Sequence, residues 1–160
     1  MIEARNPMGG PVDLRLHSDM PVRLFTIEEA NALVPRLDQI FLRLDPKLAR
    51  LRELKDLIED AETYYGDGLM SASAREQEAY AGMLQEQADL EGSVQGDIDE
   101  VRSLGCELKD LQRGLVDFPA PVSGEVAYLC WQRGEPHVGW WHTLEGGFAG
   151  RKPLASEAER

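Results

Sequence analysis

Between Leu37 and Leu104 two runs of apolar residues recur every three or four positions, and between them the rhythm breaks and then resumes only weakly before Leu90. Leu37, Phe41, Leu44, Leu48, Leu51, Leu54 and Ile58 form the first run; Leu90, Val94, Ile98, Val101 and Leu104 form the second. That spacing stacks side chains on one face of an α-helix. Tyr64-Tyr65-Gly66-Asp67-Gly68 lies between the runs and reads as a turn. At a rise of 1.5 Å per residue, residues 35–63 would span roughly 43 Å and residues 73–104 roughly 48 Å. Two arms of matching length joined by a tight turn are an antiparallel helical hairpin over residues 35–104, with a heptad-like, coiled-coil seam.

The ends of the arms carry their own signals. Thr26-Ile27-Glu28-Glu29 is a capping box, which predicts a short helix from there to about Val34. Pro35 lacks an amide proton and crowds the preceding turn, so the helix should kink or restart there. Asp45-Pro46 allows two readings: a new helix capped by Asp45, or one helix that runs through with a kink. The unbroken apolar phase favours the second. Gly82, Gly92 and Gly96 weaken the second arm by about 1 kcal/mol each relative to Ala, and Gly105 ends it. Val22-Arg23-Leu24-Phe25 alternates weakly, as a short strand would. Residues 1–19 hold Pro7, Gly9, Gly10 and Pro11 without an apolar period and read as a disordered extension. Residues 155–160 read as a loose tail, leaving 20–154 as one domain.

After Gly105 the period changes from helix to strand. Leu115-Val116-Asp117-Phe118 is a strand that Pro119 and Pro121 should end. Glu125 to Gln132 is rich in aromatic and β-branched residues, and Val138 to Thr143 returns after the turn Arg133-Gly134-Glu135-Pro136. Cys106–Leu111 is a candidate fourth, edge strand. The expected class is therefore α+β: a long helical hairpin with a three- to four-stranded antiparallel meander over 106–143. Alternation places Ala127, Leu129 and Trp131 on one face, and Tyr128, Cys130 and Gln132 on the other. On the last strand His142 should share a face with Trp140 and Val138.

Charge limits the partners. The chain has 29 acidic against 17 basic residues, a net charge of −12. That field repels phosphate backbones and anionic membrane surfaces, so neither nucleic acid nor membrane is an expected partner. No apolar run approaches the roughly 20 residues of a membrane span, and the start of the chain lacks the apolar centre of a secretory signal. Two cysteines are too few for a secreted disulfide framework, which points to reduced thiols and the cytoplasm. Between Lys47 and Leu104 stand 14 acids and 6 bases, and in Glu59–Glu78 six acids face Arg75 alone. An acidic hairpin suits a protein partner at its tip. Its broad apolar stripe, wider than one small sheet covers, suits a second copy of the chain, a homodimer.

Chemistry, if present, falls to Asp110, Asp117, Glu135, His142 and Arg151 in the second half. Carboxylates with an imidazole suit a divalent metal or an acid–base pair. The spacing is not a metal motif, and the same residues serve equally as turn holders and ion pairs. Of these, His142 on the final strand is the expected centre, because a polar ring on a mostly apolar face needs a partner. Cys106, Cys130, His137 and His142 form an irregular zinc set, in which Cys130, between Leu129 and Trp131, reads better as a buried thiol. Tyr128, Trp131, Trp140, Trp141 and Phe148 suit core packing or the walls of a small-molecule pocket.

Two segments resemble a known family. They are Phe25-Thr26-Ile27-Glu28-Glu29-Ala30-Asn31-Ala32-Leu33-Val34-Pro35, and a C-terminal series: Gly105, Glu107, Leu108-Lys109-Asp110, Gly114 to Ala120, Leu129-Cys130-Trp131, Gly134-Glu135-Pro136, Trp141-His142 and Gly147 to Arg151. Over roughly 22–154 the chain resembles the uncharacterised prokaryotic family called domain of unknown function 2203. The resemblance implies a common fold and carries no activity with it. The function expected first is protein interaction through the acidic hairpin. The alternative is a metal-assisted enzyme or small-ligand binder using the carboxylate and histidine residues of the sheet.

Overall fold

Thr26 Oγ1 accepts the Glu29 amide at 3.1 Å, and Glu29 Oε2 accepts the Thr26 amide at 3.2 Å. This reciprocal cap, worth about 1 kcal/mol, opens α1, Ile27–Tyr65, in a computed structural model that describes residues 22–154. The expectations for residues 1–19 and 155–160 lie outside the described residues. Helix α1 runs 39 residues without a break, through both Pro35 and Pro46. The restart expected at Pro35 does not occur. An internal proline costs about 3 kcal/mol. Against it, Val34, Leu37, Ile40, Phe41 and Leu44 are buried on one face, each contributing about 1.5–3 kcal/mol. Burial outweighs the proline.

A 3-10 turn, Gly66–Ser71, reverses the chain. Ser73 and Glu76 form a second capping box that starts α2, Ala74–Ser103. The helices are joined by a ladder of ion pairs. Asp97, buried on α2, accepts from Lys47 at 2.5 Å and from Arg43 at 2.9 Å; Glu100 pairs with Arg43 and Arg36; Glu86 pairs with Arg50 at 2.6 Å. Burial pushes Asp97 up, but hydrogen bonds from Lys47 and Arg43 outweigh it and leave the carboxyl below its usual range. The apolar stripe of α1 is covered by α2 and the sheet: Leu37, Leu44 and Leu54 are fully buried within one chain. Leu48 and Leu51, on the same stripe, are half-buried.

The sheet has five strands: β1 Glu107–Asp110, β2 Leu115–Val122, β3 Glu125–Gln132, β4 Trp140–His142 and β5 Lys152–Pro153. They lie in sequence order, each antiparallel to the next. The protein is thus α+β, with one strand more than expected; β5 is too short to carry a pattern. Strand β2 continues through Pro119 and Pro121, where it was expected to end. Strand β1 pairs only with Leu115–Asp117, so the rest of that edge needs no amide proton. There the Pro119 carbonyl accepts the Phe25 amide at 2.8 Å, so the segment before α1 is tied to the sheet without being the strand its alternation suggested.

Val116, Phe118, Ala120, Leu129 and Trp131 face the helices and form the core with α1, joined by Val138 and edged by Trp141. Val138 is not on the His142 face as expected. It precedes β4, and its amide donates to Asn31 Oδ1 on α1 at 2.7 Å, which turns it inward. Arg133, after β3, grips Asp45 with two bonds of 2.6 and 2.8 Å. Asp45 therefore fastens the hairpin to the sheet and does not cap a helix.

Candidate functional site

The outer face of the sheet, away from the helices, carries a row of paired residues. Register aligns Glu107 with Asp117, Asp117 with Cys130, and Cys130 with Trp140; one step along, Tyr128 lies opposite His142. An outer face ordinarily meets water, yet Asp117, Cys130 and His142 are all nearly inaccessible, at 3%, 1% and 3% exposure. The segment after β4 explains this. Leu144, Gly147 and Phe148 come back over the sheet and, with Leu115, wall a pocket of about 160 Å³. Asp117, Cys130 and His142 line it, as do Lys109 and Tyr128.

His142 Nε2 lies 3.0 Å from Asp117 Oδ2, and Nδ1 lies 2.7 Å from the Thr143 carbonyl oxygen. A carbonyl only accepts, so Nδ1 carries a proton. Nε2 then faces a carboxylate that is also an acceptor, and one further proton must lie between them. Burial pushes the Asp117 carboxyl above its ordinary value, against the opposing pull of His142. The thiol of Cys130 lies against the same carboxylate. Its pKa is pushed up to about 12, first by burial and then by the charge of Asp117, while Arg151 works the other way. The Tyr128 hydroxyl donates to both Glu107 oxygens, at 3.0 and 3.1 Å, and Lys109 pairs with Glu107 at 2.6 Å.

Of the five residues singled out from the sequence, the fold makes two pairs and leaves one out. Asp117 and His142 meet directly. Glu135 and Arg151 pair at 2.7 Å. The other Glu135 oxygen accepts the Gln132 amide at 2.8 Å, which holds the β3–β4 turn. Arg151 stacks on Trp140 and Phe148 at 4.5 and 4.4 Å, buttressing the pocket wall. Its Nη1 is buried without a hydrogen-bond partner. Asp110 takes no part. Glu107, not Asp110, is the β1 residue opposite Asp117; Asp110 pairs with Leu115 beyond a bulge and accepts the Arg113 amide in the following turn at 2.8 Å.

The zinc set of Cys106, Cys130, His137 and His142 is not assembled. Cys106 belongs to the helix-side core, and His137 is exposed in the turn before β4. Among the described residues the cluster of potential ligands is Asp117, Cys130 and His142. Cys130 is the member that sequence reasoning set aside as a plain buried thiol. Its signal was the alternation that put it on the His142 face.

The family model described as uncharacterized conserved protein (DUF2203) matches residues 23–154, nearly the whole described chain. The chain belongs to that family. The DUF2203 match spans both the hairpin and all five strands, so the pocket lies wholly within the family's domain. No curated protein and no solved structure matches the chain. Among the described residues no helix is long and apolar enough to cross a membrane.

Proposed function

We propose that this protein binds a small polar molecule in the outer-face pocket, where the Asp117–His142 pair exchanges a proton or hydrogen bond with it. One observation carries the reading: a hydrogen-bonded carboxylate–imidazole pair, both members buried, lines a walled pocket. A purely structural pair would need no cavity above it. The walls are apolar and the polar groups few and convergent, the usual make-up of a ligand site. At about 30 Å³ of liquid volume per water, a 160 Å³ space suits a molecule of only a few heavy atoms, such as a small acid, amide or ketone. Acetate, acetamide and acetone, each titrated into labelled protein, should include at least one that saturably shifts the His142, Tyr128 and Gly147 resonances. Leu144→Trp, which fills the pocket, should abolish that shift. Saturation with none of the three, or shifts indifferent to Leu144→Trp, defeats the reading.

A second reading concerns the hairpin, and the exposure of its tip favours it. Tyr64 and Met70 are 82% and 85% exposed at the acid-rich turn. Single apolar residues on a surface are ordinary; two large ones at the end of a protruding acidic arm suit docking to a basic protein surface or to a second copy. Light scattering at micromolar concentration separates the last case, since a dimer has twice 17.9 kDa. Both cysteines are free, which supports placing the protein in a reducing compartment such as the cytoplasm.

A further inference from the structure

We infer that Asp117, Cys130 and His142 form a site for a divalent transition metal of the zinc type, with the pocket supplying the open coordination position. The inference rests on the ligand-site reading above and names the group that would hold the ligand. One donor atom from each residue lies within 4.8 Å of the other two. A tetrahedral ion with bonds of about 2.0–2.3 Å separates neighbouring ligands by roughly 3.3–3.8 Å. The pair at 3.0 Å must part slightly, a movement within reach of side-chain rotation, and Cys130 Sγ already stands within 4.8 Å of both partners.

The histidine is already set in a ligating form. A metal-bound imidazole characteristically donates its other N–H to a carbonyl or carboxylate. Here Nδ1–H donates to the Thr143 carbonyl, which leaves Nε2 directed at Asp117. Charge supports the same assignment. Without an ion the site holds a carboxylate, an imidazole, a shared proton and a thiol, and is neutral overall. Binding M²⁺ expels the shared proton and the thiol proton, leaving carboxylate, thiolate, neutral imidazole and M²⁺, again neutral. Two protons leave, two positive charges enter, and no net charge is buried. Of the neighbouring cations, Arg151 is paired with Glu135 and Lys109 with Glu107.

The donor set decides the class of metal. One sulfur, one nitrogen and one oxygen suit zinc or cobalt(II) and are wrong for magnesium or calcium, which take oxygen ligands. Three protein ligands leave a fourth position, as in catalytic zinc sites. Here that position opens on the space bounded by Leu115, Leu144 and Phe148.

Cobalt(II) alone, titrated into the full-length chain after chelator treatment, tests this. The expected result is one ion per chain, with a sulfur-to-cobalt charge-transfer band, tetrahedral visible bands, release of two protons per ion, and displacement by zinc. Cys106→Ala should keep all of these. Cys130→Ala, confirmed folded by circular dichroism, should lose the charge-transfer band. Its affinity should fall by more than the about 10–100-fold that losing an outer-shell partner costs. No saturable binding, a band that survives Cys130→Ala, or one that disappears in Cys106→Ala overturns the assignment. If metal-free protein still shows the saturable pocket shifts described above, the ligand-site reading stands and only the metal assignment fails.

Discussion

Among the described residues two aspartates are buried, one in each half, and their surroundings drive them in opposite directions. Asp97, between the helices, faces Lys47 and Arg43, and its carboxyl is held below its usual range. Asp117, on the outer face of the sheet, faces His142 and Cys130, and its carboxyl is held above that range. Burial pushes both the same way. The partners decide the outcome: Lys and Arg bring a lasting positive charge, whereas an imidazole takes up or releases its proton near neutral pH and a thiol is neutral until it loses one. The helical site is an ion pair with one stable state. The sheet site holds exchangeable protons, a property that chemistry can use and that a fastening does not need.

The largest effect should come from removing His142. His142→Ala strands Asp117 in a dry site, a loss of about 3–5 kcal/mol. In thermal unfolding the melting temperature should drop on the order of 10–20 °C. A drop of only a degree or two would mean that water reaches Asp117 freely and that the two aspartates are less alike than their burial suggests.

Next comes one substitution made at both places. Asp97→Asn removes the charge that Lys47 and Arg43 answer, and denaturant unfolding should show a loss of about 1–3 kcal/mol. Asp117→Asn, in metal-free protein, supplies permanently the hydrogen that Asp117 and His142 otherwise share, and should cost less than about 1 kcal/mol. Equal losses would erase the contrast.

The acid limb of the stability curve separates the sites further. The Asp97 carboxyl is lowered from 3.8 in the fold. Its contribution is therefore fully present above pH 3.8 and is lost as pH falls through its folded value. Asp97→Asn should flatten that limb, measured by urea unfolding from pH 5 downward; an unchanged limb would assign the acid sensitivity elsewhere.

The other limb of the curve concerns the core thiol. Burial pushes Cys106 from 9.0 up to about 12. Its contribution is intact below pH 9 and declines above it by about 1.4 kcal/mol per pH unit until the folded thiol ionises. Cys106→Ala should cost about 1 kcal/mol at neutral pH and remove that share of the alkaline decline. A decline identical to that of the unaltered protein would show that Cys106 has no part in it.

The hairpin was legible in the sequence because its signals are local: a period of three and four, and a capping box at Thr26–Glu29. Where the reading went wrong, a local rule met a distant partner. Pro35 should stop a helix, but the buried face of α1 outweighs it. Pro119 and Pro121 should stop a strand, but that edge of β2 has no strand beside it. Strand β5 is two residues long and has no pattern to read. For the site, residue type and alternation singled out His142 and placed Cys130 on its face. Which acid answered His142 depended on register. Asp110 lies three residues along β1 from the residue opposite Asp117, and only the pairing of β2 with β3 brought Asp117 across to Cys130.

The cover over α1 has a bearing on how the chain is made. The buried stripe from Leu37 to Leu44 leaves the ribosome before β2 and β3, which supply Phe118, Leu129 and Trp131 to cover it. At about 5–20 residues per second, the intervening chain takes on the order of 4–20 s to synthesise. For that interval the nascent hairpin displays a greasy surface with no lid, in a crowded cell. Its dense acidic charge would then act as the repellent that keeps neighbouring nascent chains apart.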